Sequence, residues 1–522
     1  MMQKKVICCL APLPAPEAKN LFYSLARAVK EETENDTVFV DLDLSCPDIL
    51  TQTGLGQEIP KIKKGLDTLS TGSAPDLKKL LPVHEGVHLL AIDKETLEQK
   101  YASTDLLNAL CEQLKERFSL VVVHCGNPGD RASGPGYLAQ DKSCVLSDLI
   151  LYWVPSLGNV AEANGFLTKQ QAHREKIEFI VLKPKEGAAK ILPTLYHILS
   201  KEPAYQVTFD QSLFSQSEAK PEIPQDLRRL ARRISGISVG VAIGGGGVRA
   251  AGGIGVLDVL DQEGIPVDLI AGSSVGAVVA CNYALGKTPA ESAQCVRGSL
   301  DVRMPFNLFP LSNLYDPKNI IRAVKRYIGE NTSIEELRIP TFIVSADLLF
   351  CREVVFSQGD LHLALQASTT IPALFPPVKY KGMLLVDGGI VNPVPGDIVK
   401  EKGAGICVAV SATQVGMSDL EKEKKRLQSD HRLIRRLRKI PFLKKTMEGP
   451  SIPNIITRSG FIPALHLLKN KRHLFDFHLR PDVMDYGIFD LENIERIVEA
   501  GRREGAKFAP LIKQEIRKLK QG

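Results

Sequence analysis

The sequence predicts an α/β protein with two domains, the first built on a mostly parallel β-sheet and the second on a further α/β sheet. Short apolar runs typical of buried strands alternate with amphipathic helical stretches in both halves of the chain. A Ser/Gln/Pro-rich stretch interrupts this alternation near the middle. The chain has 522 residues, of which 44% are hydrophobic and 24% charged, so it is long enough for several domains of ordinary globular composition.

The first predicted domain, residues 1–205, is a doubly wound, mostly parallel sheet. The apolar runs predict strands, and two amphipathic stretches predict helices at 18–31 and 106–117. The predicted strands are 6–10, 38–42, 87–92, 120–124, 149–154 and 177–182. We interpret residues 206–235, which end in Arg228, Arg229, Arg232 and Arg233, as a linker.

The second predicted domain, residues 236–522, repeats the alternation of strand and helix with more Gly and Val. We expect a basic helical insertion at 418–447, a strand near 476–481 and a C-terminal helix at 491–520. The remaining predicted strands are 237–243, 266–271, 340–346, 383–387 and 405–411.

Charge and cysteine content exclude some classes of protein. A net charge of +6 is small for this length and argues against a dedicated nucleic-acid-binding protein. The ten cysteines form no Cys-x-x-Cys pair, which fits a reducing compartment, and we expect a cytoplasmic protein. No segment approaches the roughly 18 uninterrupted apolar residues of a membrane span, so we expect any lipid contact to be peripheral.

Two glycine-containing motifs predict a serine hydrolase site. Gly244–Gly247 and the following Val248-Arg249 come after a buried strand, where their backbone N–H groups can bind an oxyanion. The segment 272–276, Gly-Ser-Ser-Val-Gly, joins a buried strand to an Ala/Val-rich helix and places Ser274 at a nucleophile elbow. Ser238 also lies in a Gly-x-Ser-x-Gly match, but it enters a strand from a helical stretch, so we reject it.

The carboxylate partner is predicted at Asp387, which ends an apolar strand and precedes Gly388 and Gly389. The carboxyl ends of strands are where α/β sheets place their sites, although a turn aspartate is the alternative. Between residues 237 and 412 the sequence has one histidine, His362, which we interpret as a partly exposed structural residue at a helix start. A Ser-His-Asp triad would therefore need a residue from outside this domain.

The segment from 239 to about 412 resembles the patatin-like phospholipases, and within them the bacterial neuropathy-target-esterase-like branch. The resemblance rests on three blocks in order: Gly244–Arg249 with the Ile-Gly-Val-Leu run at 254–257, the elbow at 270–277, and the stretch from Ala367-Ser368 to Asp387-Gly388-Gly389. It implies an α/β hydrolase-type sheet for the second domain, a Ser–Asp dyad of Ser274 and Asp387, an oxyanion hole within Gly245, Gly246, Gly247, Val248 and Arg249, and motif glycines at Gly272 and Gly276. Ala250 and Gly253 depart from the family pattern, which usually has glycine and histidine there. For Arg249 we keep two alternatives, a structural ion pair and a cation that steers phosphate.

The first domain resembles the MinD/ParA type of P-loop ATPase, but its nucleotide chemistry is expected to be lost. No glycine occurs before Gly54, and the loop at 11–16 contains three prolines, which cannot donate N–H groups to phosphate. Lys19 lacks a phosphate-binding cradle, and His124 stands where such ATPases have an acidic metal ligand. We interpret Asp41 and Asp43 as strand-end residues and the domain as a degenerate scaffold for regulation or assembly.

The segment 422–445 carries eleven Lys/Arg against two acidic residues. A solvated helix face is one interpretation, and an anionic membrane surface as its partner is the other. We expect no nucleic-acid partner because no aromatic interleaving accompanies the charge.

Together these observations predict a serine lipid acyl hydrolase that cleaves carboxylic ester bonds of phospholipids or lysophospholipids. An acyltransferase with the same acyl-serine and a catalytically silent binding scaffold remain alternatives. No metal or organic cofactor is implied, and the sequence leaves the oligomeric state open.

Overall fold

The computed structural model contains two compact units, and both are α/β as predicted. The first comprises residues 1–237 with 518–522, and the second comprises residues 238–517. The residues described are 5–42 except 12 and 14, 49–69, 76–92, 104–125, 146–155, 159–170, 175–184, 205–209, 222–300, 325–329, 332–412 except 373, and 452–521. The basic segment 422–445 and Asp43 lie outside them.

The first sheet has eight strands among the described residues, in the spatial order β3-β4-β2-β5-β1-β6-β7-β8. Neighbouring strands run parallel, except that β3 pairs antiparallel with β4. The strands are β1 (Lys5–Leu10), β2 (Thr37–Asp41), β3 (Val83–His84), β4 (Val87–Ala91), β5 (Leu120–His124), β6 (Leu149–Val154), β7 (Ile177–Pro184) and β8 (Tyr205–Phe209). The predicted strands of this domain lie within two residues of observed ones, and β3 and β8 were not predicted.

The first unit's helices bury their apolar faces against this sheet. Phe22 of the first helix and Trp153 of β6, for example, pack in one core with ring centroids 5.7 Å apart. The helices are α1 (Ala15–Thr33), α2 (Ile49–Gln52), α3 (Ile59–Leu69), α4 (Leu77–Leu80), α5 (Thr104–Arg117), α6 (Val160–Lys169) and α7 (Gln225–Ile234).

Two segments interpreted as linker are elements of the first unit. Strand β8 pairs with β7, and helix α7 packs on α1. Arg228 forms ion pairs with Glu31 and Glu32 at the C-terminal end of α1, at 2.7 and 3.1 Å. The sequence does not show that this segment belongs to the first unit, because the glutamates that pair with Arg228 and Arg232 lie almost 200 residues earlier. The unit boundary falls at Ile237, one residue before Ser238.

Hydrogen-bonded pairs connect the strands of the second sheet in the sequence β13-β14-β11-β10-β9-β15-β16 among the described residues, and β12 also pairs with β11. Strands β9, β10, β11, β15 and β16 are parallel, whereas β12, β13 and β14 are joined by antiparallel pairs. The strands are β9 (Val239–Ile243), β10 (Leu269–Ser273), β11 (Thr341–Asp347), β12 (Arg352–Phe356), β13 (Val378–Tyr380), β14 (Met383–Asp387), β15 (Ile406–Val410) and β16 (Phe477–Leu479).

The second unit's helices include one buried helix, α9, which follows β10 and packs against β10 and β11. The helices are α8 (Gly252–Gln262), α9 (Val275–Ala284), α10 (Pro289–Leu300), α11 (Leu361–Thr369), α12 (Gly396–Glu401), α13 (Ile452–Lys471) and α14 (Ile494–Gln521). Short 3-10 helices cover Gly247–Ala251 and Gly388–Ile390. Within the described ranges, no helix combines the length and apolar character that a membrane crossing needs.

Strands β10 and β14 meet end to end along one edge of β11. Ile343 and Val344 pair with β10 and β12 at once, so those two strands lie on opposite edges of β11. The residues from Ser345 to Asp347 then pair with β12 and β14 at once, which places β14 on the same edge as β10. Ser273 is opposite Val344 and Asp387 is opposite Ser345, so the ends of the two strands adjoin.

The close packing of helices α8 and α14 predicts a large effect of Gly255→Ala. A Cβ at Gly255 would lie 1.9 Å from the carbonyl oxygen of Val498 and 2.6 Å from the amide nitrogen of Arg502. Because both atoms belong to a helix backbone, the helices must separate, and the free energy of unfolding should fall by roughly 2 kcal/mol or more. Urea denaturation followed by circular dichroism measures this.

Gly165→Ala is the matched control, since Gly165 is also helical and a Cβ there would meet nothing within 4 Å. This variant should change the free energy of unfolding by less than about 1 kcal/mol. Equal effects of the two substitutions would contradict the packing described for α8 and α14.

Candidate active site

The backbone at Ser274 forms a sharp turn between β10 and α9. Ser274 has φ 55° and ψ −134°, a conformation that costs a non-glycine residue on the order of 1–3 kcal/mol. The flanking glycines permit it because a Cβ on Gly272 would lie 2.4 Å from the Cα of Ala277, and a Cβ on Gly276 would lie 2.4 Å from the carbonyl oxygen of Ile243. The turn therefore depends on both glycines of the motif.

The side chains of Ser274 and Asp387 meet where β10 and β14 adjoin. The Ser274 hydroxyl donates a hydrogen bond to Oδ2 of Asp387 at 2.5 Å, and both residues are buried. The other carboxylate oxygen, Oδ1, accepts from the N–H of Gly389 at 2.7 Å. Gly388 lies so close to β11 that a Cβ there would be 2.2 Å from the carbonyl oxygen of Val344. The two glycines after Asp387 thus have different roles, one in packing and one in holding the carboxylate.

Burial changes the acidity of Asp387. Desolvation raises the pKa of this carboxyl group from 3.8 to about 6, against the lowering effect of its bonds with Ser274 and Gly389. A carboxylate with this pKa is a stronger base than a solvated aspartate and is still mostly ionised at neutral pH.

The glycine turn presents fewer backbone donors than the sequence predicted. The N–H of Gly245 bonds to the carbonyl of Pro393 at 3.0 Å, and the N–H of Val248 bonds to the carbonyl of Ile488 at 2.9 Å. Arg249 lies within the 3-10 helix Gly247–Ala251. Gly246 and Gly247 precede the internal hydrogen bonds of that helix, and their φ values of 146° and 60° require glycine. Gly245 packs on the elbow itself, since a Cβ there would lie 2.9 Å from the Cβ of Ser274.

Two features of the site were missed from the sequence. The hydroxyl of Ser368, on α11, accepts a hydrogen bond from the backbone N–H of Ser274 at 3.0 Å and so holds the strained turn. The loop containing Ile488 supports the glycine turn through its bond with Val248. The Ala367-Ser368 motif indicated that Ser368 matters. The motif did not show that Ser368 contacts Ser274, which lies 94 positions earlier.

Arg249, His362 and Ser238 have structural contacts. The Nε of Arg249 donates to the carbonyl of Tyr486 at 2.8 Å and the side chain is buried. His362 lies at the start of α11 as predicted, but it is buried and not partly exposed, because its Nε2 bonds to the carbonyl of Gly329 at 2.5 Å. The hydroxyl of Ser238 donates to Gly403 and accepts from Gly405, away from the elbow.

In the first unit, the carboxyl ends of β2 and β5 carry a buried charged cluster. Asp41 lies 3.0 Å from Nζ of Lys19 and 3.2 Å from Nδ1 of His124, and it also accepts from the N–H of Ile49. Burial acts to raise the pKa of Asp41, but His124 and then Lys19 outweigh burial and lower it. Asp41 is thus the last residue of β2, as predicted, and its carboxylate is bonded within the unit.

Comparison with known proteins finds a family model that matches the second unit's central segment. Residues 241–399 match the family model described as patatin-like phospholipase, which confirms the resemblance inferred from the motifs.

The chain is similar to three curated relatives over part of their length. It is 28% identical over 289 residues to patatin-like phospholipase domain-containing protein 6 of Mus musculus, covering 54% of this chain and 21% of the relative. It is 25% identical over 364 residues to neuropathy target esterase sws of Drosophila melanogaster, covering 65% and 25%. It is 30% identical over 285 residues to an uncharacterized NTE family protein of Mycobacterium tuberculosis, covering 52% and 46%. The chain therefore spans between about a fifth and about half of these relatives.

Solved structures match 44% of the chain with low TM-scores. A ParA family ATPase from Chlorobium tepidum has a TM-score of 0.35 and 15% sequence identity, with 98% of that chain covered. The cell division protein MinD from Aquifex aeolicus has a TM-score of 0.35 and 17% identity, with 97% of that chain covered.

The raised pKa of Asp387 predicts that Asp387→Asn stabilises the protein in a pH-dependent way. With a folded-state pKa of about 6 against 3.8 unfolded, protonated Asp387 stabilises the fold at low pH, and this contribution is lost as pH rises through about 6. Asparagine stays neutral and can still accept from Gly389 while donating to Ser274. The variant should exceed wild type by up to about 3 kcal/mol at pH 8 and by little near pH 4. Urea unfolding at both pH values measures this.

Ser274→Ala retains the carboxyl group but removes a hydrogen bond that lowers its pKa, so the stability of this variant should fall with rising pH at least as steeply as that of wild type. A gain from Asp387→Asn that is equal at both pH values would contradict the pKa of about 6.

Proposed function

We propose that this protein is a serine lipid acyl hydrolase that cleaves carboxylic ester bonds of phospholipids or lysophospholipids. The proposal rests above all on the buried hydrogen bond of 2.5 Å from the Ser274 hydroxyl to the Asp387 carboxylate. A serine hydroxyl becomes a useful nucleophile when an adjacent base accepts its proton, and this bond provides that path. The family description of residues 241–399 supports the choice of lipid esters as substrates.

In the first half of the reaction, Oγ of Ser274 attacks the ester carbonyl carbon while its proton passes to Oδ2 of Asp387. The tetrahedral intermediate collapses when the bond from carbon to the alcohol oxygen breaks. Protonated Asp387 then returns the proton to the departing alkoxide, so a neutral alcohol leaves and the acyl group remains on Ser274.

In the second half, water enters and gives a proton to Asp387 as it attacks the acyl-serine. Breaking the bond from the acyl carbon to Oγ restores the Ser274 hydroxyl with the proton from Asp387, and a fatty acid is released. A carboxyl pKa of about 6 suits both halves, because the group must accept and return a proton near neutral pH.

We assign the oxyanion hole to the N–H groups of Gly246 and Gly247. The amides of Gly245 and Val248 are committed to Pro393 and Ile488, so they are poorly suited to this role. Each preorganised donor is worth about 3 kcal/mol of barrier. Helix α9 begins at Val275, directly after the nucleophile, and the positive end of its dipole adds to the stabilisation of negative charge.

We predict that a fluorophosphonate probe labels the wild-type protein on Ser274. Ser274→Ala should abolish labelling because the nucleophile is absent. Asp387→Asn should lower the labelling rate by a factor of about 10² or more because no base remains to accept the proton. In-gel fluorescence and mass spectrometry of the labelled peptide measure both effects.

Ser238→Ala is the matched control, since it removes the serine of the second Gly-x-Ser-x-Gly sequence and should label like wild type. An unlabelled wild-type protein would favour the silent scaffold over the hydrolase.

We also predict that the labelling rate rises with pH through about 6 and is constant above about pH 7.5. The ionised form of Asp387 is the base, and burial raises its pKa to about 6, so the active fraction grows as the group loses its proton. Second-order rate constants of inactivation from pH 4.5 to 8.5 test this. A rate that is flat across this range would argue against a titrating carboxyl base.

A further inference from the structure

The turn between β11 and β12 exposes three consecutive large apolar side chains. Leu348, Leu349 and Phe350 are 45%, 55% and 63% exposed. They form the tip of a hairpin whose last paired residues are Asp347 and Arg352. Scattered exposed apolar residues are ordinary, but three in one protruding turn are an unusual cost unless another apolar phase covers them.

A second hairpin lies beside this tip and is bonded to it. Strands β13 and β14 are joined by Lys381-Gly382, with φ values of 45° and 78° that are typical of a tight two-residue turn. The N–H of Leu348 donates to the carbonyl of Leu384 at 2.8 Å. The buried carboxylate of Asp347 accepts from the N–H groups of Leu349 and Leu384, at 3.1 and 3.3 Å. The two turns therefore form one braced surface, which we call the twin-hairpin tip (residues 347–352 and 379–384).

The exposed charges of the twin-hairpin tip are all positive. Among its described residues, the exposed charged side chains are those of Arg352, Lys379 and Lys381. The guanidinium of Arg352 lies 5.1 Å from the ring centroid of Phe350, and Nζ of Lys381 lies 5.1 Å from that of Tyr380. The acidic Asp347 is buried within the tip, where its Oδ2 lies 3.5 Å from Nε of Arg352, and the guanidinium of Arg352 stays exposed. Apolar side chains surrounded by cations match the interface of a bilayer with anionic headgroups.

The tip extends from β11, the strand with which both β10 and β14 pair. Ser345 of β11 is paired with Asp387, and Leu349 follows four residues later, about 13 Å along an extended chain. The distance from Ser345 to Leu349 is thus less than half the roughly 30 Å hydrocarbon thickness of a bilayer, so the tip and the candidate site are close on that scale. Ile488 and Phe489, beside the glycine turn, are also exposed apolar residues. A bilayer in contact with the tip would thus face the edge of the sheet where Ser274 lies.

We propose that the twin-hairpin tip docks this protein on the surface of an anionic lipid bilayer. This inference rests on the proposed lipid acyl hydrolase function. Leu349 and Phe350 enter the acyl boundary, while Arg352, Lys379 and Lys381 contact the headgroups. Because Asp347 fixes the turns in advance, docking loses little conformational entropy.

Flotation of the full-length protein with lipid vesicles tests the proposal. Vesicles of phosphatidylcholine alone are compared with vesicles of equimolar phosphatidylcholine and phosphatidylglycerol, using the Ser274→Ala protein so that the lipid is not consumed. The apolar variant is Leu349→Ser/Phe350→Ser and the charge variant is Lys379→Gln/Lys381→Asn. Asparagine is chosen at position 381 because it tolerates the positive φ found there.

The matched control is Leu511→Ser on α14. Leu511 is 49% exposed, and the ion pair of Lys513 with Glu263, 2.7 Å, places this part of α14 beside the end of α8. Helix α8 begins at the carboxyl end of β9 and returns toward the opposite edge of the sheet. The control therefore removes an exposed apolar side chain that is far from the tip.

We expect binding to mixed vesicles that is weakened about tenfold by the apolar variant and severalfold by the charge variant, with the control unchanged. In a separate Phe350→Trp variant, tryptophan emission should shift to shorter wavelength on adding mixed vesicles, since the native Trp153 is buried. If both tip variants float with the vesicles as wild type does, another part of the chain carries the binding and the proposal is overturned. Loss of a dimer or protein complex from the tip variants, without loss of vesicle binding, would overturn it as well.

Hydrolysis assays separate this inference from the proposed function. They use the same tip variants made in the protein that retains Ser274. The apolar variant should lose activity on vesicles and keep wild-type activity on a water-soluble monomeric ester. Tip-dependent vesicle binding without any ester hydrolysis would reject the hydrolase and leave the docking surface. Wild-type hydrolysis of vesicles by the apolar variant would reject the docking surface and leave the hydrolase.

Discussion

The end-to-end meeting of β10 and β14 on one edge of β11 is the constraint on which the candidate site depends. A parallel strand arrives from one direction and an antiparallel strand from the other, and their last residues face consecutive positions of β11. The side chains of Ser274 and Asp387 are thus brought together by backbone pairing, although they are 113 residues apart in sequence. No flexible loop has to close to bring the two groups into contact.

This arrangement has energetic costs that the rest of the unit offsets. Ser274 adopts a strained backbone conformation, and the buried Asp387 is held as a charged group largely by one hydroxyl and one amide. The bond from the Ser274 amide to Ser368 and the close packing of Gly272, Gly276 and Gly388 keep the turn in place. In return, desolvation gives the carboxyl group a pKa of about 6, which a solvated aspartate does not have.

Much of this fold and site was predictable from the sequence, and the exceptions have physical causes. Buried strands are continuous apolar runs, so β9, β10, β11, β14 and β15 were located within a few residues, and the elbow was distinguished from Ser238 by its strand-to-helix context. Which glycine amides are bonded was not predictable, because their acceptors, Pro393 and Ile488, are distant in sequence. For the same reason the arginines of α7 looked like linker. The twin-hairpin tip was missed because its apolar residues closely follow a buried strand, and the sequence does not distinguish exposed apolar residues from buried ones at this point.

The central claim is that Ser274 carries an acyl group during turnover, and rapid acid quenching followed by peptide mass spectrometry tests it most directly. After brief incubation with a lysophospholipid, the peptide containing Ser274 should gain the mass of the fatty acyl group in place of one hydrogen. An acyl group on another residue, or turnover of the substrate with no acylated peptide at any time, would contradict the account.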